Sequence, residues 1–240
     1  MKKIVLVCIA FATVTAVSAQ DKKNPSKAKL VDQAGDHIML QLGTDHWSGA
    51  PDSINSHLKG LSRGANIYVM MNKPFKTDQR FSVAFGIGVG SANMYFKRFN
   101  VDIKSAATKL PFTSLDSSDR FKKYKLSTAY LEIPVEFRFT KNPEKNNKSI
   151  KGAIGFKVGT LLNVHTKGKT LENKSGSTIN PYIEKENSKH FFNSYRVAAT
   201  GRIGFGNYSL YGSYQFTSLL KDGVGPVIHP FEIGITLSGL

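Results

Sequence analysis

Apolar and polar residues alternate with period two along eight stretches of the chain, most strictly in YLEIPVEFRF at residues 130–139. Successive side chains of an extended backbone point to opposite faces. Leu131, Ile133, Val135, Phe137 and Phe139 therefore share one face, and Glu132, Pro134, Glu136 and Arg138 share the other. The other seven stretches are GDHIMLQLG (35–43), RGANIYVMM (63–71), RFSVAFGIGVG (80–90), KGAIGFKVGTLLNVH (151–165), SYRVAATGRIGF (194–205), YSLYGSYQF (208–216) and PFEIGITLSGL (230–240). No helical periodicity intervenes, so the chain reads as all-β. In the fifth of the eight stretches in chain order, Ile154, Phe156, Val158, Thr160, Leu162 and Val164 are expected on the apolar face.

The connections carry a second pattern. Long segments (about 45–62, 97–123 and 166–189, and a medium one at 221–229) alternate with short turns (72–79, 141–148 and Gly206-Asn207). Alternate connections of an up-and-down barrel lie at the same end, so one rim is loop-rich and the other trimmed, as in transmembrane barrels. The prediction is an eight-stranded antiparallel up-and-down transmembrane β-barrel over residues 35–240.

Period two alone also fits a secreted lipocalin-like barrel with an apolar interior. Three features favour the membrane. The polar face is lined by small residues such as Gly86, Gly88, Gly90, Gly155, Gly159, Gly204 and Gly234, which suit a crowded barrel interior. Trp47, the only tryptophan, lacks the Gly-x-Trp spacing of lipocalins, and the chain ends on a strand. The loop alternation has no reason to exist in a soluble calyx. The apolar faces then meet lipid, where a charge at mid-membrane would cost about 2–4 kcal/mol.

The N-terminus fits that location. Lys2 and Lys3, an apolar run from Ile4 to Val17 and the small residues Ser18 and Ala19 form a secretory signal over residues 1–19. Residues 20–34, polar and lysine-rich, read as a flexible periplasmic lead-in. Cys8, the only cysteine, lies in the signal, so the mature chain has no thiol chemistry. An even strand count returns the C-terminus to the periplasm and puts the long loops outside a Gram-negative outer membrane. The net charge of +16 then points to lipid and lipopolysaccharide phosphates rather than nucleic acid.

The inward charges predicted by this parity are Glu132, Glu136 and Glu232 against Arg138, Lys157, Arg196 and Arg202. An eight-stranded barrel is just wide enough for side chains to fill. These groups are expected to form a salt-bridged plug, with a narrow ion path as the alternative. At the outer rim, Arg120, Lys122, Lys123, Tyr124 and Lys125 read as an interfacial girdle, with Tyr124 and Tyr130 at headgroup depth and lysines near lipopolysaccharide phosphates.

Enzymatic and cofactor motifs are weak. The glycines of GIGVG recur inside a continuing strand with no helix after them, so no dinucleotide site is expected. Asp45, His46 and Ser48 crowd the first long loop, His57 and Asp52 lie nearby, and His165 and His190 flank the third. None sits in a nucleophile or metal-ligand motif. No catalysis, metal or cofactor is expected.

YLEIPVEFRF resembles the PorT-like outer-membrane β-barrel proteins of the Bacteroidota, where a Tyr-Leu-Glu-Ile-Pro strand recurs. SRGANIYVM, GFKVGTLLNVHTK and GRIGFGNYSLYGSY fit the same pattern. The resemblance implies a barrel with an accessory role beside a larger protein secretion or assembly machine, and it carries over no catalytic residues. A structural or interaction component is therefore expected, ahead of a passive channel or a loop-borne enzyme.

Overall fold

The computed structural model describes residues 38–239. The signal expected at 1–19 and the lead-in expected at 20–34 lie outside the described residues. The elements are β1 (Ile38–Ser48), the one-turn helix α1 (Asp52–Asn55), β2 (Arg63–Pro74), β3 (Phe81–Phe96), β4 (Phe99–Val101), β5 (Phe112–Ser114), β6 (Arg120–Thr140), a 3-10 turn (Pro143–Lys148), β7 (Ile150–Glu172), β8 (Thr178–Asn187), β9 (Tyr195–Phe205), β10 (Tyr208–Gln215) and β11 (His229–Ser238).

Eight strands close into a ring, β1-β2-β3-β6-β7-β9-β10-β11, in which β11 pairs back with β1 and every neighbour is antiparallel. Closure leaves no unpaired sheet edge in the ring. A ninth strand, β8, pairs only with the far end of β7, and β4 and β5 form a separate two-stranded clip. The short connections cluster at one end, here called the turn end. The tightest, at Gly206, has a φ of 59°, which glycine adopts without strain.

The strands reach further into the long connections than their alternation suggests. β6 begins at Arg120, and the third long connection is largely a hairpin of β7 and β8. That hairpin turns through Asn173, whose side-chain Oδ1 accepts from the amides of Ser175 and Ser177.

The outer wall is apolar. Leu42, Ile67, Val69, Met71, Phe85, Ile87, Leu131, Ile133, Phe137, Ile154, Phe156, Ile203 and Ile233 are all exposed there, as the alternation predicts. Aromatic rings gather at both limits of this band: Phe75, Phe205 and Tyr208 near the turn end, Tyr195, Tyr214 and Phe216 towards the other. Such belts mark membrane–water interfaces.

One parity expectation fails. A register shift between Ala129 and Tyr130 inserts an extra residue, Leu162, in β7 opposite β6. A bulge reverses the facing of the residues beyond it. Val164, expected on the lipid face, is fully buried inside, while Leu162 stays exposed.

Candidate functional site

Below the level of Tyr130 the lumen is filled by charge. Glu132 is completely buried and sits at the centre. The Tyr68 hydroxyl donates to its Oε2 at 2.6 Å, Arg196 donates to its Oε1, and Lys157 Nζ lies 3.6 Å from Oε2. The Arg196 guanidinium also lies 4.2 Å over the Tyr130 ring. Room for this comes from inward glycine. A Cβ at Gly90 would sit 2.7 Å from Asn66 Oδ1 and 2.8 Å from Arg196 Nη2, and closer still to Glu132 Oε2.

Nearer the turn end, Glu136 accepts from Arg138 at 2.8 Å along its own strand and from Arg202 at 3.0 Å across the lumen. Glu232 is held differently. Tyr211 donates its hydroxyl to Oε1, and Asn66 Nδ2 donates to Oε2 at 3.0 Å. Asp45 lies beside it, pointing inward and accepting the Asn93 amide at 2.9 Å. The seven expected interior charges are all placed inside, but as two ion-paired groups and one carboxylate on neutral donors. Tyr68, Asn66 and Tyr211 complete the arrangement without having been expected there, and so do Asp45, expected in the first long loop but lying in β1, and Tyr130, expected at headgroup depth. Their inward parity was readable from Glu132 and Glu232, but their roles were not.

Removing one member of a buried ion pair typically costs about 3–5 kcal/mol. Cavities of about 20 and 30 Å³ remain among these side chains. Each is room for a water or two.

Above Tyr130 the lumen becomes apolar. Trp47, Met94, Phe96, Tyr124, Leu126, Tyr130, Leu161 and Val164 from the ring strands pack with Ile54, Phe99, Val101, Ile103, Leu110, Phe191, Phe192, Leu219, Leu220 and Ile228 from the long connections in one core. Backbone bonds tie the first loop to β3, Lys59 N to Tyr95 O, and the later loops to one another, Leu110 N to Val224 O and Lys221 N to Phe191 O. The Asn193 amide clamps the last two loops by donating to Ser218 O at 2.7 Å and Leu220 O at 2.8 Å. The long loops therefore form a folded cap.

The expected girdle at residues 120–125 is corrected by this cap. Tyr124 and Tyr130 are buried, not at headgroup depth. Both share the even, inward parity of Glu132, which outweighs the preference of tyrosine for interfaces. The Tyr124 hydroxyl donates to Val101 O and accepts from Val101 N, pinning the clip. Arg120 is buried too, donating to Lys174 O at 3.1 Å. Lys122 pairs with Glu172 at 3.3 Å. Lys123 and Lys125 do face outward, with Lys125 Nζ donating to Asn93 Oδ1 at 2.6 Å.

The polar residues of the first loop do not converge. Asp45 points into the barrel, while His46 stacks on Phe231 with ring centroids 5.0 Å apart. His57 stacks on Phe99 at 4.7 Å, with Asp116 3.9 Å from its Nε2. Among the described residues, no group of three or more His, Cys, Asp or Glu could hold a metal ion.

No curated protein matches the sequence. Two solved structures that match are both of Ail, the attachment invasion locus protein of Yersinia pestis. The first is 13% identical with a TM-score of 0.33, and the match covers 83% of this chain and 95% of Ail. The second, Ail in complex with the heparin analogue sucrose octasulfate, is 14% identical with a TM-score of 0.31 and the same coverage. The model of the outer membrane protein beta-barrel domain matches residues 35–221. With eight strands closed in a ring, an apolar outer wall and a charged interior, the chain is a member of that outer-membrane β-barrel family.

Proposed function

We propose that this outer-membrane barrel is a closed structural and interaction component, neither a pore nor an enzyme, whose folded cap is its contact surface. The loop end faces the exterior, and both chain termini face the periplasm. The observation that carries the reading is closure at two levels. Glu132 with Arg196, Lys157 and Tyr68 fills the lumen, and the apolar cap core seals the space above. The cavities of about 20 and 30 Å³ described among these side chains each have room for a water or two, which favours a closed lumen over a solute path. A cap held by inter-loop hydrogen bonds also presents a preorganised surface, which lowers the ordering cost of binding.

The resemblance of YLEIPVEFRF to PorT-like barrels favours one specific role, that of an accessory beside a larger secretion or assembly machine. The competing readings are a narrow passive channel and a loop-borne enzyme. Purified barrel in planar bilayers is expected to be electrically silent, and steady conductance would overturn closure. For the accessory role, a photoreactive residue belongs at Leu61 or Val227, both exposed at the loop end. Recurrent crosslinking in intact cells to one large outer-membrane protein is expected. Adducts with glycolipid alone would remove the accessory role.

A further inference from the structure

Above the lipid-facing band, the outer wall carries two registered rows of polar groups. The lower row runs Arg63, Asn93, Ser127, His165 and Asn187, directly paired across β2, β3, β6, β7 and β8. The upper row runs Tyr95, Lys125, Lys167 and Lys185 across β3, β6, β7 and β8. One step further, Lys123 opposes Lys169. Like charges placed directly opposite across a sheet are destabilising, and here three ammonium groups lie in one another's fields.

Among the described residues, no carboxylate on this wall neutralises them. Glu184 and Glu186 oppose Gly168 and Thr166, the positions that alternate with Lys167, so they belong to the other face of β8. Glu172 is engaged by Lys122, and Asp45 points into the barrel. Among the described residues no carboxylate pairs with Lys125, Lys167 or Lys185. Lys125 is nonetheless held in place, bonded to Asn93 and with its Nζ 5.8 Å from the Tyr95 ring centroid. An ordered, mutually repelling row of cations, backed by neutral hydrogen-bonding groups, is suited to several phosphate oxygens at once.

The wall beneath selects the source of the phosphate. Below the polar rows lie Ala65, Ser91 and Ala129, then Ile67, Val89 and Leu131 at the top of the apolar band. Lys125 is six residues from Leu131, about 20 Å along a tilted strand. A ligand with acyl chains on the apolar rows and a phosphorylated headgroup on the lysines spans both zones, whereas a soluble polyanion uses only one.

We propose that this five-strand face is a binding site for the phosphorylated headgroup of an outer-leaflet glycolipid. The assignment rests on the loop end facing the exterior. Val227→Cys, in a chain whose one other cysteine is Cys8, tests that orientation separately. Labelling by a membrane-impermeant maleimide in intact cells is expected, and protection of that thiol would overturn the outer-leaflet assignment.

The binding test uses the full barrel in detergent, titrated with bis-phosphorylated lipid A and with its dephosphorylated form and read by native mass spectrometry. The wild type is expected to prefer the phosphorylated lipid at least tenfold. The triple variant Lys125→Gln, Lys167→Gln, Lys185→Gln is expected to lose at least tenfold in affinity. A control with the same charge change at turn-end lysines (Lys73→Gln, Lys76→Gln, Lys148→Gln) is expected to bind like wild type. Because neutralisation removes repulsion, the triple variant without lipid is also expected to exchange the β8 amides more slowly, which excludes misfolding as the cause of lost binding. Equal binding of both lipids, unchanged affinity in the triple variant, or equally tight binding of an acyl-free polyphosphate would each overturn the proposal.

Discussion

β6 shows the barrel and the cap as opposites written on one strand. From Leu131 to Phe139 its odd positions are apolar and face out, while Glu132, Glu136 and Arg138 face in. From Lys123 to Ala129 the odd positions are Lys, Lys, Ser and Ala, while Tyr124, Leu126 and Tyr130 are buried inside. The pleat runs on without a break and the chemistry of both faces inverts at Tyr130. In the band that meets lipid, apolar side chains gain nothing from the interior over the exterior, and polar groups must turn inward to find partners. Above it the outer face meets water, and the hydrophobic effect drives the same inward face to be apolar. The cap is an ordinary globular core standing on an inside-out one.

The largest effect expected from breaking this comparison is at Glu132. Glu132→Ala leaves Arg196 and Lys157 buried without their carboxylate and should destabilise the barrel by about 3–5 kcal/mol. Unfolding of the barrel in detergent by denaturant, followed by loss of its heat-modifiable gel mobility, measures this. An unchanged midpoint would mean that water, not ion pairing, supports those cations.

Next is the outer face on either side of the inversion. Ile133→Arg places a charge in the lipid band and should cost about 2–4 kcal/mol near mid-membrane. Asn187→Arg, at an exposed position of the lower polar row on the same outer wall, should cost far less because that level is polar. Folding titrations into lipid vesicles compare the two. Equal costs would move the lipid boundary up to the lysine row.

A smaller effect is expected within the cap. Val164→Ala removes two buried carbons and should cost about 1.5–2.5 kcal/mol. Its location matters more than its size. Protease nicking should rise in the loops while the ring of eight strands keeps its gel mobility. Loss of both together would show that cap and barrel fold as one unit.

Much of the lower half was legible because lipid imposes a strict rule on each residue in turn. Eight strands, the lipid-facing residues and all seven interior charges can be read from period two. The cap was not legible, because its core gathers Ile54, Phe99, Ile103, Leu110, Phe192 and Leu219 from connections distant in sequence and without a shared period. Packing of that kind is a tertiary property. Val164 was misplaced because one inserted residue, Leu162, is invisible to a parity count. Tyr124 and Tyr130 depart from the expected headgroup depth for the opposite reason: the strand parity they share with Glu132 wins over the preference of tyrosine for membrane interfaces. The grid of Lys125, Lys167 and Lys185 needed the cross-strand register, since β8 lay in what reads as loop.

The smallest effect lies at the cap's outer surface, where Asp116 anchors the clip. The Ser114 hydroxyl donates to it at 2.9 Å, and Arg98 and His57 lie 3.7 and 3.9 Å away. The hydroxyl bond first, and then the His57 and Arg98 charges, hold its carboxyl below the ordinary value. A depressed carboxyl contributes stability that is present above the unfolded-state value of about 3.9 and is lost as pH falls through the folded one. The clip, joined by Leu115 N to Arg98 O at 2.8 Å, should therefore loosen only below about pH 4. The chemical shifts of the Val101 methyls, buried beneath it, report this in a titration of the folded barrel. Asp116→Asn should abolish the acid step while leaving the neutral-pH spectrum of the barrel strands in place. A step that survives in the variant would assign it to another group, and with it the idea that the cap's exterior is held by exposed charge while the lumen is held by buried charge would fail.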